Sequence, residues 1–183
     1  MPDWDFNLIG KYLLLFLTDG IFGYFLQFLG YSLAIHAFNK KRIQPKPFLL
    51  MTIIFSLLAF GIRKLPISFG YHTIIITIVC MIISYTLFKT SIYQTVLAVL
   101  LTVVSILIFE GLVVYGIFSV ILGSDTVDSI LSEAPNVDSS LKKTLLGIPT
   151  NFLLVTEMFF LYRILPKRLK KGGSDGEAGK ANS

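Results

Sequence analysis

Charge is scarce in this sequence, and the shortage limits the classes of protein that it can encode. Only 15% of its 183 residues are Asp, Glu, Lys or Arg, whereas 54% are hydrophobic and the mean hydropathy is +0.75. A soluble domain carries nearer a quarter of charged residues. Because a helix that crosses a bilayer needs about 20 mainly apolar residues, the composition indicates an integral protein of the cell membrane.

Cysteine is almost absent as well. The single cysteine, Cys80, lies in an apolar run, which excludes an internal disulfide and a thiolate metal cage. The basic residues form short clusters beside the apolar runs, and nucleic-acid binding would need a basic face with interleaved aromatics. The sequence therefore predicts no nucleic-acid partner, no metal and no cofactor.

Five apolar segments predict an all-α bundle of about five transmembrane helices. Residues 1–171 are expected to form this multi-pass domain, and residues 172–183 a disordered tail of glycine, serine and small charged residues. The N-terminus lacks a basic region and a small-residue cleavage site, so the first span is expected to stay in place as a signal-anchor. The predicted spans are 11–38, 48–64, 72–88, 94–122 and 145–165.

The basic residues beside these spans predict the orientation, because cytoplasmic loops carry an excess of lysine and arginine. With the N-terminus outside and the C-terminus inside, ten basic residues are cytoplasmic and five are external. The cytoplasmic ten are Lys40, Lys41, Arg42, Lys46, Lys89, Arg163, Lys167, Arg168, Lys170 and Lys171. The external five are Lys11, Arg63, Lys64, Lys142 and Lys143.

An acidic connection, residues 124–138, follows the fourth span. Its apolar residues recur at helical spacing (Val127, Ile130, Leu131 and Ala134), and Pro135 ends the pattern. This spacing predicts a short amphipathic helix at the outer interface. A solvated loop is the alternative.

Three acids lie within the predicted spans. Glu110 and Glu157 fall near the middle of their spans and Asp19 lies nearer the outer side, with no lysine or arginine expected at the same depth. Ionisable groups in a membrane tend to face the bundle interior and find partners. The three acids are therefore candidates for a polar-ligand or cation site, and protonated acids that only join helices are the alternative.

A second cluster, in the turn RKLPISFGYHT, contains Arg63, Lys64 and His72. These bases are predicted to face outward and to meet the acidic helix, which makes Arg63 and His72 further ligand-binding candidates. Interfacial snorkelling is the alternative. His72 also precedes Cys80 on one apolar stretch, as in a peptide-processing membrane peptidase, but an offset of eight residues turns the side chains about 80° apart. No catalytic residue is predicted.

Several stretches resemble a known module: residues 65–73 (LPISFGYHT), the pair Phe109 and Glu110, and residues 146–149 (LGIP). The chain resembles, over roughly residues 48–165, the multi-spanning sensor region that precedes GHKL-type histidine kinases of Firmicute bacteria and that also occurs as stand-alone membrane proteins. The kinase region is missing here. The resemblance therefore implies sensing or regulation of a partner and carries over no catalytic residue.

These observations predict a non-enzymatic bacterial membrane protein that senses or regulates through contacts in the bilayer. Its expected partners are lipid and a separate membrane or cytoplasmic signalling protein. The alternative is a small transporter or a substrate-binding transporter subunit, although the five spans contain no convincing inverted repeat.

The orientation is testable with reporter fusions. A reporter that is active only in the cytoplasm is expected to work when fused after Lys171 or at Lys41, and to fail at Glu133. Activity at Glu133 would reverse the predicted topology.

Overall fold

The structure is a computed structural model that describes residues 10–11, 13–14, 16–63, 69–134 and 136–177, with only the backbone at 69–70, 137 and 166–177. Lys64 and Pro66 of the predicted turn, Pro135 and residues 178–183 lie outside the described residues. Among those described, helices and short connections account for the chain, with no strand. This confirms the all-α prediction.

Six helices follow one another along the described chain. Five of them, all except the short fifth, are long and apolar enough to cross a membrane, as predicted. They are α1 (Phe16–Phe38), α2 (Pro45–Arg63), α3 (Phe69–Phe88), α4 (Ile92–Leu122), α5 (Ser124–Ser132) and α6 (Val137–Glu177).

Two of the long helices contain π-helical stretches, in which the backbone is wider than in an α-helix. The first forms the start of α1, at Phe16–Phe25, and the second lies within α4, at Gly111–Phe118. Such segments are rare and often occur at functional sites. Both lie toward the same end of the bundle.

The two ends of the bundle differ in their connections. At one end, which we call the tight-loop end, residues 39–44 join α1 to α2 and residues 89–91 join α3 to α4. The other end carries α5, and we call it the α5 end. There Gly123 links α4 to α5 with a φ of 88°, a left-handed conformation that favours glycine.

Helix α1 lies at the centre and packs against α2, α4 and α6. Its closest approach is at Gly30, where an added Cβ would lie 3.0 Å from the Leu154 side chain of α6. Small residues at such crossings let membrane helices approach closely. Next to this contact, the buried hydroxyl of Thr52 in α2 donates to Ser32 Oγ of α1 at 3.0 Å. Close packing and a polar contact thus fix α1 between its neighbours.

The acidic connection forms the predicted helix. In α5 the Val127 side chain is fully buried and Ile130 and Leu131 are half-buried, while Asp125 and Asp128 are exposed. The backbone of α6 is helical through Gly172–Glu177, and the disorder of residues 172–183 stays a prediction. Those six residues continue the preceding helix although glycine is an unfavourable helix residue.

The Gly30 contact predicts a specific instability. Gly30→Val should lower the free energy of unfolding by about 1–3 kcal/mol, because extra atoms would force α1 and α6 apart. Gly61→Val is the matched control, since an added Cβ at Gly61 meets nothing within 4 Å. Unfolding can be followed through the thiol of Cys80, which is 1% exposed in the folded chain, with a fluorescent maleimide in detergent. Equal melting of the two variants would contradict the packing described here.

Candidate functional site

The register of the long helices brings charged side chains to one level near the α5 end. Arg63 is the last residue of α2, which has 19 residues, and Glu110 ends the α-helical part of α4, which also has 19 residues. At about 1.5 Å per residue, both lie about 27 Å from the tight-loop end. Asp19, in the first turn of α1, reaches a similar level. The charges therefore gather near one end of the bundle.

A cavity of about 380 Å³ opens between the helices at this level. We call it the polar cavity. Its volume lies in the range of small-molecule sites. The residues that line it come from α1, α2, α4 and α6: Asp19, Gly23, Tyr24, Gln27, Arg63, Glu110, Ser140, Lys143, Thr144, Gly147 and Asn151.

Arg63 is a basic residue that sequence analysis did not expect at the level of Glu110. The two side chains line the same cavity. The Arg63 guanidinium carbon also lies 5.1 Å from the centroid of the Tyr24 ring, at cation–π distance. Glu110 lies three residues past the middle of the 31-residue helix α4, and its depth in a membrane stays a prediction.

Asp19 is held by α6. Thr144 Oγ1 donates to Asp19 Oδ1 at 3.1 Å, and the absence of a side chain at Gly23 leaves room for that oxygen, which would lie 3.2 Å from an added Cβ. Nearby, Asn151 Nδ2 donates to the backbone oxygens of Phe22 and Gly23, at 3.1 and 3.2 Å. The π-helical start of α1 is thus fixed to α6 by side-chain hydrogen bonds.

Lys143 brings a second positive charge to the polar cavity. Its Nζ donates to the backbone oxygen of Glu133 at 2.8 Å, at the end of α5. The net charge of the four ionisable residues in the cavity is zero when each has its ordinary charge: Asp19, Glu110, Arg63 and Lys143. The cavity therefore presents both signs of charge without a large net field.

A smaller space of about 120 Å³ adjoins the polar cavity. The two share Gln27, Arg63 and Glu110, so the smaller one begins where the polar groups end. We call it the apolar annex, because its remaining lining is mostly aromatic and aliphatic: Phe28, Tyr31, Thr73, Ile76, Val103, Ile106 and Leu107.

Two of the predicted site residues lie apart from this group. Glu157 is ten residues past Gly147 in α6, about 15 Å farther toward the tight-loop end. One of its oxygens, Oε2, is buried and accepts no hydrogen bond from the described residues. His72 is half-buried in the first turns of α3 and lines neither cavity. The structure therefore joins Asp19, Glu110 and Arg63 and leaves Glu157 and His72 outside.

The meeting of Arg63 with the acidic helix stays a prediction. Arg63 lines the polar cavity, while two acids near α5 pair with other bases. Lys142 Nζ lies 3.0 Å from Glu133 Oε2, and Lys11 Nζ lies 3.1 Å from Asp138 Oδ2. The helix α6 supplies the first of these bases because it begins a few residues after α5 ends and packs against it.

His72 and Cys80 are separated by eight residues of one helix, about 12 Å along its axis. Cys80 is buried in the same core cluster as Ile76 and Ala98. This separation is too large for the imidazole to activate the thiol directly.

Sequence analysis missed Gln27 and most of the α6 residues, although a signal for them exists. Asp19, Gly23 and Gln27 recur every four residues, so they share one face of α1. Polar or small residues form a similar stripe on α6, at Ser140, Thr144, Gly147 and Asn151. Two such stripes on the first and last spans of a bundle indicate that their polar faces meet.

Comparisons of the chain with protein-family models, with curated proteins and with solved structures find no match. Across the part of the chain that the structure describes, no group of three or more His, Cys, Asp or Glu side chains is arranged to hold a metal ion.

The position of Arg63 and Glu110 at one cavity predicts that their charges are coupled. Arg63→Gln alone should destabilise the bundle, and adding Glu110→Gln should restore part of the loss, because the carboxylate would then no longer lie in the cavity without a nearby base. We expect a coupling of about 1 kcal/mol or more from a double-mutant cycle in detergent. The ion pair of Lys142 and Glu133, which does not share the cavity, is the control, with an expected coupling below about 0.5 kcal/mol. Additive effects of Arg63→Gln and Glu110→Gln would contradict the predicted coupling.

Proposed function

We propose that this chain is a non-enzymatic bacterial membrane receptor that binds a small zwitterionic solute in the polar cavity and regulates a partner protein. The observation that carries the proposal is the presence of two acids and two bases around one cavity of about 380 Å³. A ligand with one ammonium and one carboxylate group matches that arrangement. Charge-assisted hydrogen bonds to both ends would orient it.

The apolar annex narrows the ligand class. A solute whose charged ends lie between Glu110 and Arg63 can extend an uncharged group toward Phe28 and Ile76. The annex holds about 120 Å³, enough for an aliphatic or aromatic side group. An amino acid with an apolar side chain, or a short peptide that ends in one, has the required chemistry.

The packing around the polar cavity supports ligand binding better than it supports transport of the ligand across the membrane. Below the cavities, toward the tight-loop end, the space between α1, α2 and α6 is filled by fully buried side chains such as Phe55, Ile35 and Leu154. A transporter would need to open this packed region during each cycle. Transport is therefore the alternative function, and the binding experiment tests it as one of its outcomes.

Helix α1 connects the polar cavity with the tight-loop end, so it could transmit the effect of ligand binding to a partner protein. Its π-helical start carries Asp19 and Tyr24 at the cavity, and its other end leads into a loop where Lys41 Nζ donates to the backbone oxygens of Phe88 and Lys89. In the same region, the Ser91 backbone nitrogen donates to the Asn39 side chain at 2.7 Å. We propose that a shift of α1 on ligand binding moves these connections. The predicted resemblance to kinase sensor regions implies the same kind of role, sensing or regulation of a partner.

The ligand prediction can be tested on the purified full-length chain. Among the twenty L-amino acids and their dipeptides, at least one zwitterion with an apolar side group should raise the unfolding temperature. For leucine as the ligand, 4-methylpentanoate and isoamylamine each lack one charged group and should stabilise far less. Gly147→Leu should abolish the effect, because Gly147 lines the cavity and an added Cβ there meets nothing within 4 Å, so the larger side chain has room to occupy the cavity. Gly61→Leu is the matched control.

Three results would count against the proposal. Stabilisation by no zwitterion, or equally by the singly charged analogues, would exclude the proposed ligand class. Retained stabilisation in Gly147→Leu would place binding elsewhere. Uptake of the stabilising ligand into proteoliposomes would make the chain a transporter.

A further inference from the structure

A second cavity lies at the tight-loop end, far from the polar cavity. It measures about 420 Å³ and is formed by the end of α1, the loop to α2, the start of α2 and the end of α3. Its polar lining consists of His36, Lys41, Arg42, Gln44 and Thr90. Because it shares no residue with the proposed receptor site, it needs its own explanation.

The charge around this second cavity has one sign. The sequence contains no Asp or Glu from Gly20 to Phe109, a stretch that includes every residue lining the cavity. Lys41 lies over the end of α3, where its Nζ donates to the Phe88 and Lys89 carbonyl oxygens. Arg42 is exposed at the cavity. The concentration of positive charge here attracts an anion.

The remaining lining is apolar. This apolar lining consists of Pro47, Leu87 and Phe88. The cavity lies at the level where the long helices end. A free phosphate ion would gain nothing from such a lining, whereas the glycerol and upper acyl carbons of a phospholipid would pack on it. Basic pockets between membrane helices are known to take anionic lipid headgroups.

We propose that this cavity binds the headgroup of an anionic phospholipid, with Arg42 donating to the phosphate and Lys41 adding charge beside it. A lipid bound here would contact the loops that join α1 to α2 and α3 to α4. It would stabilise the tight-loop end independently of any solute in the polar cavity. The proposal therefore does not depend on the receptor function.

The test compares lipids and two exposed residues of the same basic cluster. The full-length chain is placed in nanodiscs of phosphatidylcholine with increasing phosphatidylglycerol, and bound lipid is measured by native mass spectrometry after release into detergent. Arg42→Gln should weaken phosphatidylglycerol binding about tenfold. Lys46→Gln removes the same charge from a residue that is exposed and does not line the cavity, and it should change binding less than about twofold. Arg42→Lys, which keeps the charge, should retain intermediate binding.

Each other outcome would overturn the proposal. Equal losses in Arg42→Gln and Lys46→Gln would indicate general attraction to an anionic surface. Equal binding of phosphatidylglycerol and phosphatidylcholine would exclude an anion site. Displacement of the lipid by millimolar inorganic phosphate would assign the site to a soluble anion. A normal melting temperature by the Cys80 thiol assay verifies that each variant is folded.

Discussion

Ionisable side chains in an apolar solvent are stable only where other polar groups surround them, and this constraint shapes the α5 end of the bundle. Asp19, Arg63 and Glu110 belong to three helices and are far apart in sequence. Each lies at a similar distance along its helix from the tight-loop end, so the three charges meet at one level. Their shared polar surroundings explain why acids are tolerated in spans that are otherwise apolar.

The hydrogen bonds around the cavity show how the backbone adapts to this arrangement. The π-helical start of α1 places Asp19 against Thr144, and Asn151 binds the carbonyl oxygens of Phe22 and Gly23. A second π-helical stretch begins directly after Glu110. Both wide segments therefore adjoin residues of the polar cavity. Farther toward the tight-loop end, close packing at Gly30 and the hydrogen bond from Thr52 to Ser32 hold α1.

The two ends of the molecule are chemically distinct. The α5 end holds acids and bases together around a cavity, and the tight-loop end has bases with no acid over a long stretch of sequence. Helix α1 runs between them and packs against α2, α4 and α6. In the proposed account, one end recognises a solute of mixed charge, the other recognises anionic lipid, and α1 connects them.

The helices were easier to predict from the sequence than the residues of the candidate site. Long apolar runs with polar breaks were sufficient for five spans, and the spacing of Val127, Ile130 and Leu131 was sufficient for α5. The placement of Arg63 and Glu110 at one cavity was missed because depth was judged within each span separately. Counted from the tight-loop end, Arg63 and Glu110 both stand at the far end of helical stretches of equal length.

The positions of Glu157 and His72 outside the polar cavity were harder to predict from the sequence. Both are ionisable residues in or beside predicted spans, as Glu110 and Arg63 are. Whether such a side chain points into the cavity depends on how its helix is rotated about its axis. Sequence alone gives no rotation for helices as apolar as α3, whose polar residues are too few to mark a face. The stripes on α1 and α6 were informative because several polar residues repeat on them.

The proposed receptor function requires that water reach the polar cavity at Gly147, and cysteine accessibility tests this requirement most directly. In a Cys80→Ser background, Gly147→Cys is treated with a membrane-impermeant methanethiosulfonate in vesicles of both orientations. Leu57→Cys, at a side chain that is 65% exposed on the outer face of α2, is the control. We predict that Gly147→Cys reacts with the impermeant reagent from one side of the membrane and that Leu57→Cys does not. Reaction of Gly147→Cys with only a membrane-permeant maleimide would contradict the cavity and the function proposed for it.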